Sequence, residues 1–251
     1  MRLAYDGTDF AGYQIQRGQN VRTVQGVIEK ALASLHGAPV ATACAGRTDT
    51  GVHALGQYVS FDWDHPRIPE QQFAAALNSR LPPDVRATNA RFTADGFHAR
   101  YSACQRHYRY YLYTSQWDLP HRRRYAWRLP DMPELSRMNA EAAQLVGTHD
   151  FSTFAARRRG EDSMTRTVTA AAFYADNDEQ TLEFRISADG FLWRMVRSIV
   201  GTLVGRERDR RRGRKSTSAM SITEMLERRD RSLCGTLAPP RGLFLYDVEY
   251  P

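Results

Sequence analysis

The chain has 251 residues, 42% of them apolar, a length that suits one large domain or two of about 100–150 residues. Its net charge is +7 and its isoelectric point about 9.5, carried almost wholly by arginine, since Lys30 and Lys215 are the only lysines. Such a balance favours polyanions, because guanidinium groups pair with phosphate and stack on bases, although a general arginine bias produces the same excess.

No apolar run approaches the roughly 20 residues of a membrane span, and the opening Met1-Arg2-Leu3-Ala4-Tyr5-Asp6-Gly7 lacks a signal peptide's apolar stretch. The chain therefore reads as soluble and cytoplasmic. Cys44, Cys104 and Cys234 are odd in number and far apart, fitting neither a disulfide framework nor a zinc site.

In chain order, residues 2–6 read as a strand. Thr23 then caps a helix whose apolar stripe is Val24, Val27, Ile28, Ala31, Leu32 and Leu35, with a stop at Gly37. A strand over Val40–Cys44 leads into a Gly-bracketed loop from Gly46 to Gly51, and Gln57–Trp63 reads as the next strand. Pro69 opens a second helix carrying Phe73, Ala76 and Leu77 that stops at Leu81-Pro82-Pro83, and Val85–Phe92 reads as a strand. Strand, helix, strand, strand, helix, strand is the split βαβ plan of a ferredoxin-like domain, shared by many RNA-binding sheets.

The second half repeats the theme. His107–Thr114 reads as a tyrosine-rich strand, Leu135 to Val146 as a helix ended by Gly147, and Val168–Tyr174 and Thr181–Ile186 as strands paired across Asp176-Asn177-Asp178. Phe191–Val204 reads as a strongly apolar helix, Ile222–Leu226 as a short one and Leu243–Tyr250 as a last strand. The fold class expected is α+β: two ferredoxin-like, RRM-like lobes with antiparallel sheets and a cleft between them. Periodicity lapses over Asp95–Ala103, placing an N-terminal lobe at 1–100 and a C-terminal lobe at 101–251. Arginine clusters fall at Arg122–Arg124, Arg157–Arg159 and Arg206 to Lys215; the last, between Gly205 and Gly213, reads as a mobile surface loop.

Three constellations carry candidate chemistry. In Gly46-Arg47-Thr48-Asp49-Thr50-Gly51-Val52-His53-Ala54, a carboxylate lies two residues from a guanidinium that favours its ionised form. An ionised carboxylate serves as nucleophile, base or metal ligand. Thr-Asp-Thr-Gly is also ordinary turn composition, and turn capping by Asp49 is the plainer reading of the pattern alone. The loop lacks P-loop glycine and lysine placement. Carboxylates near Asp49-Thr50 and Asp6-Gly7-Thr8 are too few for the magnesium site of a phosphotransferase. On the strand around Tyr108, Tyr108 and Tyr110 share one face and His107, Arg109 and Tyr111 the other. Such aromatics suit base stacking or, equally, a core strand. Arg197 lies in an apolar helical stretch and calls for an anionic partner, for which Asp49 is a candidate, or for snorkelling.

The loop around Asp49 resembles the signature of the tRNA pseudouridine synthase A family. The likeness continues through Tyr5-Asp6-Gly7-Thr8, Gly12, Gln14, Gln16 and Arg22-Thr23-Val24-Gln25. It extends to Phe97-His98-Ala99-Arg100-Tyr101-Ser102-Ala103, Asp150-Phe151-Ser152-Thr153-Phe154 and Arg166-Thr167-Val168. It closes with Met195-Val196-Arg197, Val200-Gly201, Ala238-Pro239 and Gly242-Leu243. Tyr13 stands where the family often has tryptophan, and the 206–215 stretch departs from the family's shorter turn. The resemblance implies a homodimer of two-lobed subunits that isomerises uridine to pseudouridine in the tRNA anticodon arm, at positions 38, 39 and 40, without cofactor or metal. It implies that Asp49 is the nucleophile, that Tyr108 stacks on the uracil and can take part in proton transfer, that Arg197 pairs with Asp49 and that Arg47 engages RNA. The other readings are a non-catalytic RNA-binding protein, in which Asp49 has no special role, and a metal-dependent phosphotransferase.

Overall fold

The computed structural model describes residues 1–64, 68–156, 163–176, 180–214 and 220–251. The fold is α+β, and the chain divides into two compact units: residues 1–104 with 244–251, and residues 105–243.

The first unit holds β1 (Arg2–Tyr5), α1 (Val24–His36), β2 (Ala43–Cys44), β3 (His53–Ser60), α2 (Glu70–Asn78) and β4 (Val85–Asn89). Strand β1 lies between β4 and β3, antiparallel to both, and β2 runs antiparallel to β3. Helix α1 begins where the Thr23 side chain accepts the Gly26 N–H at 3.3 Å, and ends at a left-handed Gly37. It buries Val24, Ile28, Ala31 and Leu32. At the end of α2, the Asn78 carboxamide both donates to and accepts from the Ala87 peptide at 2.8 Å, which ties the helix to β4.

Strand β10 (Leu243–Glu249) runs parallel to β3, with Phe244 opposite His53 and Leu245 opposite Ala54. Residues 244–251 thus belong to the first unit, although the chain order reads them as the end of the second. Strand pairing joins segments about 190 residues apart, and nothing local in Leu243–Tyr250 announces the partner.

The second unit holds β5 (Gln105–Thr114), β6 (Trp127–Leu129), α3 (Leu135–Ala143), β7 (Gly147–Asp150), β8 (Thr165–Ala175), β9 (Thr181–Ala188), α4 (Met195–Arg211) and α5 (Ile222–Arg228). Its strands lie in the order β6, β5, β9, β8, β7; β5 and β6 are parallel and the other neighbours antiparallel. One face of β5, β9 and β8 buries Tyr108, Tyr110, Leu112, Phe184, Ile186 and Phe173. The other carries polar pairs, among them Arg109–Glu183 at 2.9 Å and His107–Ser187 at 2.8 Å.

Two sequence readings are corrected in α4. The helix starts at Met195 rather than Phe191, because Arg194 takes a left-handed φ of 64° and stacks its guanidinium on Trp193. It also runs on to Arg211, so Arg206–Arg211 form helical turns and not a surface loop. Arg206 and Glu207 are buried there: Arg206 donates to Glu141 of α3 at 3.0 and 2.8 Å, and Arg210 and Arg211 bind Glu207. Lys215 and the Arg157–Arg159 cluster lie outside the described residues.

Candidate active site

Asp49 sits in the connection from β2 to β3, and that connection is held from several sides. Downstream, Val52 N–H donates to Asp49 C=O at 3.1 Å around a left-handed Gly51, a tight turn that brings the chain into β3. Upstream, the Gln57 carboxamide grips the Gly46 peptide: its Nε2 donates to Gly46 C=O at 2.6 Å and its Oε1 accepts Gly46 N–H at 3.3 Å. Gln57 has no exposed surface, so little water is at hand to replace these bonds.

Between these anchors, Thr48 is buried with its hydroxyl 2.8 Å from the Tyr5 hydroxyl, while its carbonyl accepts Tyr13 N–H at 3.0 Å. Gly12 lies against the same stretch at φ 95°, and a Cβ there would come within 3.1 Å of Thr48 O and 3.3 Å of Thr50 N. The backbone angle calls for glycine, and a side chain here would also press on the neighbouring peptides. His53 is fully buried, stacks on Phe244 at 4.5 Å and accepts Gly7 N–H on Nδ1 at 3.0 Å. The result is a rigid support under a partly exposed carboxylate, with Arg47 exposed two residues before it.

The positive charge of Arg47 is also felt by Cys44. Burial raises that thiol to about 11, and the guanidinium groups of Arg47 and Arg100 oppose the rise. Arg47 and Arg100 therefore both lie within electrostatic reach of the end of β2.

The second unit carries the other two predicted residues. Tyr108 is buried on β5, and its ring meets Phe191 edge to face at 4.9 Å. Arg197 is half-buried in the first turn of α4, where its Nε donates to Ala238 C=O at 2.9 Å and its own carbonyl accepts Ala238 N–H at 3.1 Å. The segment bearing Ala238 lies directly on α4. A Cβ on Gly201 would come within 1.8 Å of Thr236 O. The same segment accepts the Tyr110 hydroxyl at Pro239 C=O, 2.8 Å away. Burial pushes the Tyr110 phenol well above the ordinary tyrosine range, against the nearby charges of Arg197 and Arg241. Asp49 and Arg47 thus stand in the first unit, and Tyr108 and Arg197 in the second.

The support residues Gln57 and Tyr5 were not singled out by local pattern as parts of the site. Gln57 had one signal: a polar residue at a position where an alternating strand places its buried side chains.

The family model described as tRNA pseudouridine synthase matches residues 2–102 and 142–251. The chain belongs to the tRNA pseudouridine synthase family. Individual relatives carry the likeness across the interval between those two segments as well. It is 41% identical over 250 residues to tRNA pseudouridine synthase A of Shouchella clausii, covering 99% of this chain and 92% of the relative. With the Bacillus subtilis protein of that name the identity is 39% over 250 residues, covering 99% and 97%. With that of Fervidobacterium nodosum it is 41% over 250 residues, covering 100% and 98%.

The described residues hold a partly exposed carboxylate at Asp49, an exposed guanidinium at Arg47 and a buried aromatic ring at Tyr108. They contain no group of three or more His, Cys, Asp or Glu placed to hold a metal ion, and no helix long and apolar enough to cross a membrane.

Proposed function

We propose that this protein isomerises uridine to pseudouridine in the anticodon arm of tRNA, at positions 38, 39 and 40, with Asp49 as the nucleophile. The reaction breaks the bond from ribose C1′ to uracil N1 and makes one from C1′ to C5. The C5 proton is lost and N1 gains one, so no oxidant, reductant or group donor is consumed. Asp49 attacks C1′ or uracil C6, or assists glycal formation. Tyr108 stacks on the uracil, Arg197 pairs with the Asp49 carboxylate and Arg47 engages RNA beside the flipped nucleotide. Extrusion of the uridine costs a few kcal/mol, which stacking and phosphate contacts offset. We read the two units as ferredoxin-like lobes with the substrate held in a cleft, and the working enzyme as a cytoplasmic homodimer that uses no cofactor.

The observation that carries this reading is the rigid Gly46–Val52 connection. It spends a buried glutamine, a buried tyrosine–threonine pair and a conformationally special glycine on supporting a partly exposed aspartate. A turn-capping aspartate alone needs no such support. The test is pseudouridine mapping on tRNA treated with wild-type protein and with Asp49→Ala. The variant is expected to lose more than about 10³-fold in rate while binding tRNA within a few-fold of wild type. Product formed by the variant at the wild-type rate removes Asp49 from the chemistry.

A further inference from the structure

The link between β5 and β6 presents an aromatic and basic surface that the reaction at Asp49 and Tyr108 does not use. The link is firmly built. The fully buried Tyr113 donates its hydroxyl to Asp118 Oδ1 at 2.5 Å and accepts Leu119 N–H at 3.1 Å. Trp117 N–H donates to Ser115 Oγ at 3.2 Å, and Arg128 donates to the carbonyls of Ser115 and Gln116. A turn follows in which Arg122 and Arg123 donate backbone N–H groups to Leu119 C=O, and Tyr125 and Ala126 to Arg122 C=O. The Arg122 side chain reaches Thr181 Oγ1 at 2.8 Å.

From this fixed backbone the Trp117 side chain projects into solvent, 70% exposed. Tryptophan is the largest apolar side chain, and a well-ordered loop that leaves one uncovered forgoes a large burial term. Beside it in sequence stand exposed His121, Arg123, Arg124 and Tyr125. Between Ser115 and Arg128 there are four arginines and a single acid, Asp118, which the Tyr113 hydroxyl already engages. A protein partner would call for apolar neighbours around the indole. An open indole in a short link that also carries exposed arginines instead matches an unstacked base flanked by phosphates.

The position is informative. Tyr108 lies near the start of β5, and Trp117 follows its end. The six residue steps from Tyr108 to Thr114 span about 20 Å at the usual strand rise. A ligand at Trp117 is therefore not the uracil under isomerisation.

We propose that residues 115–125 form a second RNA contact, where Trp117 stacks on an unpaired base in the body of the tRNA and Arg123 and Arg124 meet the adjacent phosphates. The inference rests on the tRNA reading above and adds to it a grip on the RNA remote from the target nucleotide.

The test compares full-length tRNA with an isolated stem-loop carrying the target uridine, using Trp117→Ala, Trp117→Phe and Arg123→Ala in the otherwise intact protein. Trp117→Ala is expected to weaken full-length tRNA binding about tenfold. It should raise KM in proportion, with kcat, stem-loop affinity and melting temperature unchanged. Trp117→Phe restores most of the affinity because it restores a ring. Arg123→Ala lowers the slope of log affinity against log salt by about one. Wild-type affinity of Trp117→Ala for full-length tRNA overturns the proposal. So does an equal loss on the stem-loop, or a change confined to the protein's sedimentation, which marks a protein contact. If wild-type protein forms no pseudouridine, the enzymatic reading fails, and the binding comparison still decides Trp117.

Discussion

Gln57 holds the Gly46 peptide by both of its polar groups, three residues upstream of Asp49 and from a fully buried position. The strand that follows the Asp49 loop thereby fixes where that loop begins. Gln57→Leu keeps side-chain bulk but leaves a buried N–H and C=O without their partner, at a cost of about 1–3 kcal/mol each. Gln57→Glu keeps the acceptor for Gly46 N–H and sets a carboxylate oxygen against Gly46 C=O. We expect both variants to lower kcat by roughly 10²-fold, since small misplacements of a reacting group cost that much. KM should change little, because Gln57 is fully buried. Steady-state kinetics on tRNA, below the melting temperature of each variant, checks this; an unaltered kcat in a destabilised protein would reduce Gln57 to a fold residue.

Tyr108 is placed by packing as well as by strand position, since its ring lies edge to face on Phe191. Tyr108→Phe preserves that contact and any stacking on the base, and removes the hydroxyl alone. The expected outcome is KM within about threefold of wild type and a kcat lower by about 10²-fold, the low end of what a proton-transfer group contributes. Single-turnover rates on tRNA separate the two, and an unchanged rate confines Tyr108 to stacking.

How much of this was legible beforehand depends on whether the deciding interactions are local. Helix α1 was legible because Thr23, the apolar stripe and Gly37 lie within fifteen residues and each acts on its neighbours. Asp49 was legible as a loop carboxylate, and its role as nucleophile is what the resemblance of the motif implies. The place of β10 beside β3 was hidden, because strand pairing leaves no local trace. The helical course of Arg206–Arg211 was hidden for a related reason. A run of arginines reads as solvated unless the buried carboxylate that receives it is known, and Glu141 lies 65 residues away. The Gln57 support was visible as a polar residue in a buried register, without any hint of what it bonded.

Cys44 provides a check on the environment of the Arg47 loop. Burial raises its thiol from 9.0 to about 11 despite the opposing charges of Arg47 and Arg100. At pH 8 it should resist thiol reagents in the native protein and react only on unfolding, whereas exposed Cys104 reacts at once. A folded-state value above the unfolded one means that the folded chain holds the proton longer. This contribution to stability is full below pH 9 and is lost as pH rises through 11. Arg47→Ala removes a charge that favours the thiolate, so it should raise the thiol further and slow alkaline modification. Stopped-flow labelling with a chromogenic disulfide across pH 7–11 measures both; rapid native labelling of Cys44 at pH 8 contradicts the buried placement.

The charge cluster joining α3 to α4 should behave as a buried network. Glu141 and Arg206 are both buried, and Arg206 also donates to Met220 C=O at 2.7 Å. Burial lowers the Arg206 guanidinium, so the fold carries a desolvation cost that Glu141 offsets. Glu141→Leu strands that guanidinium without its carboxylate and is expected to destabilise the protein by about 3–5 kcal/mol. Glu141→Leu combined with Arg206→Met removes the buried pair and should recover much of the loss, because a buried pair contributes little beyond an apolar pair of similar volume; Arg210, which also binds Glu141, keeps Glu207 as its partner. Urea denaturation of the two single variants and the double variant forms a mutant cycle. A coupling energy below about 0.5 kcal/mol would show that the two residues act independently, and would return Arg206–Arg211 to the status of a solvated basic surface.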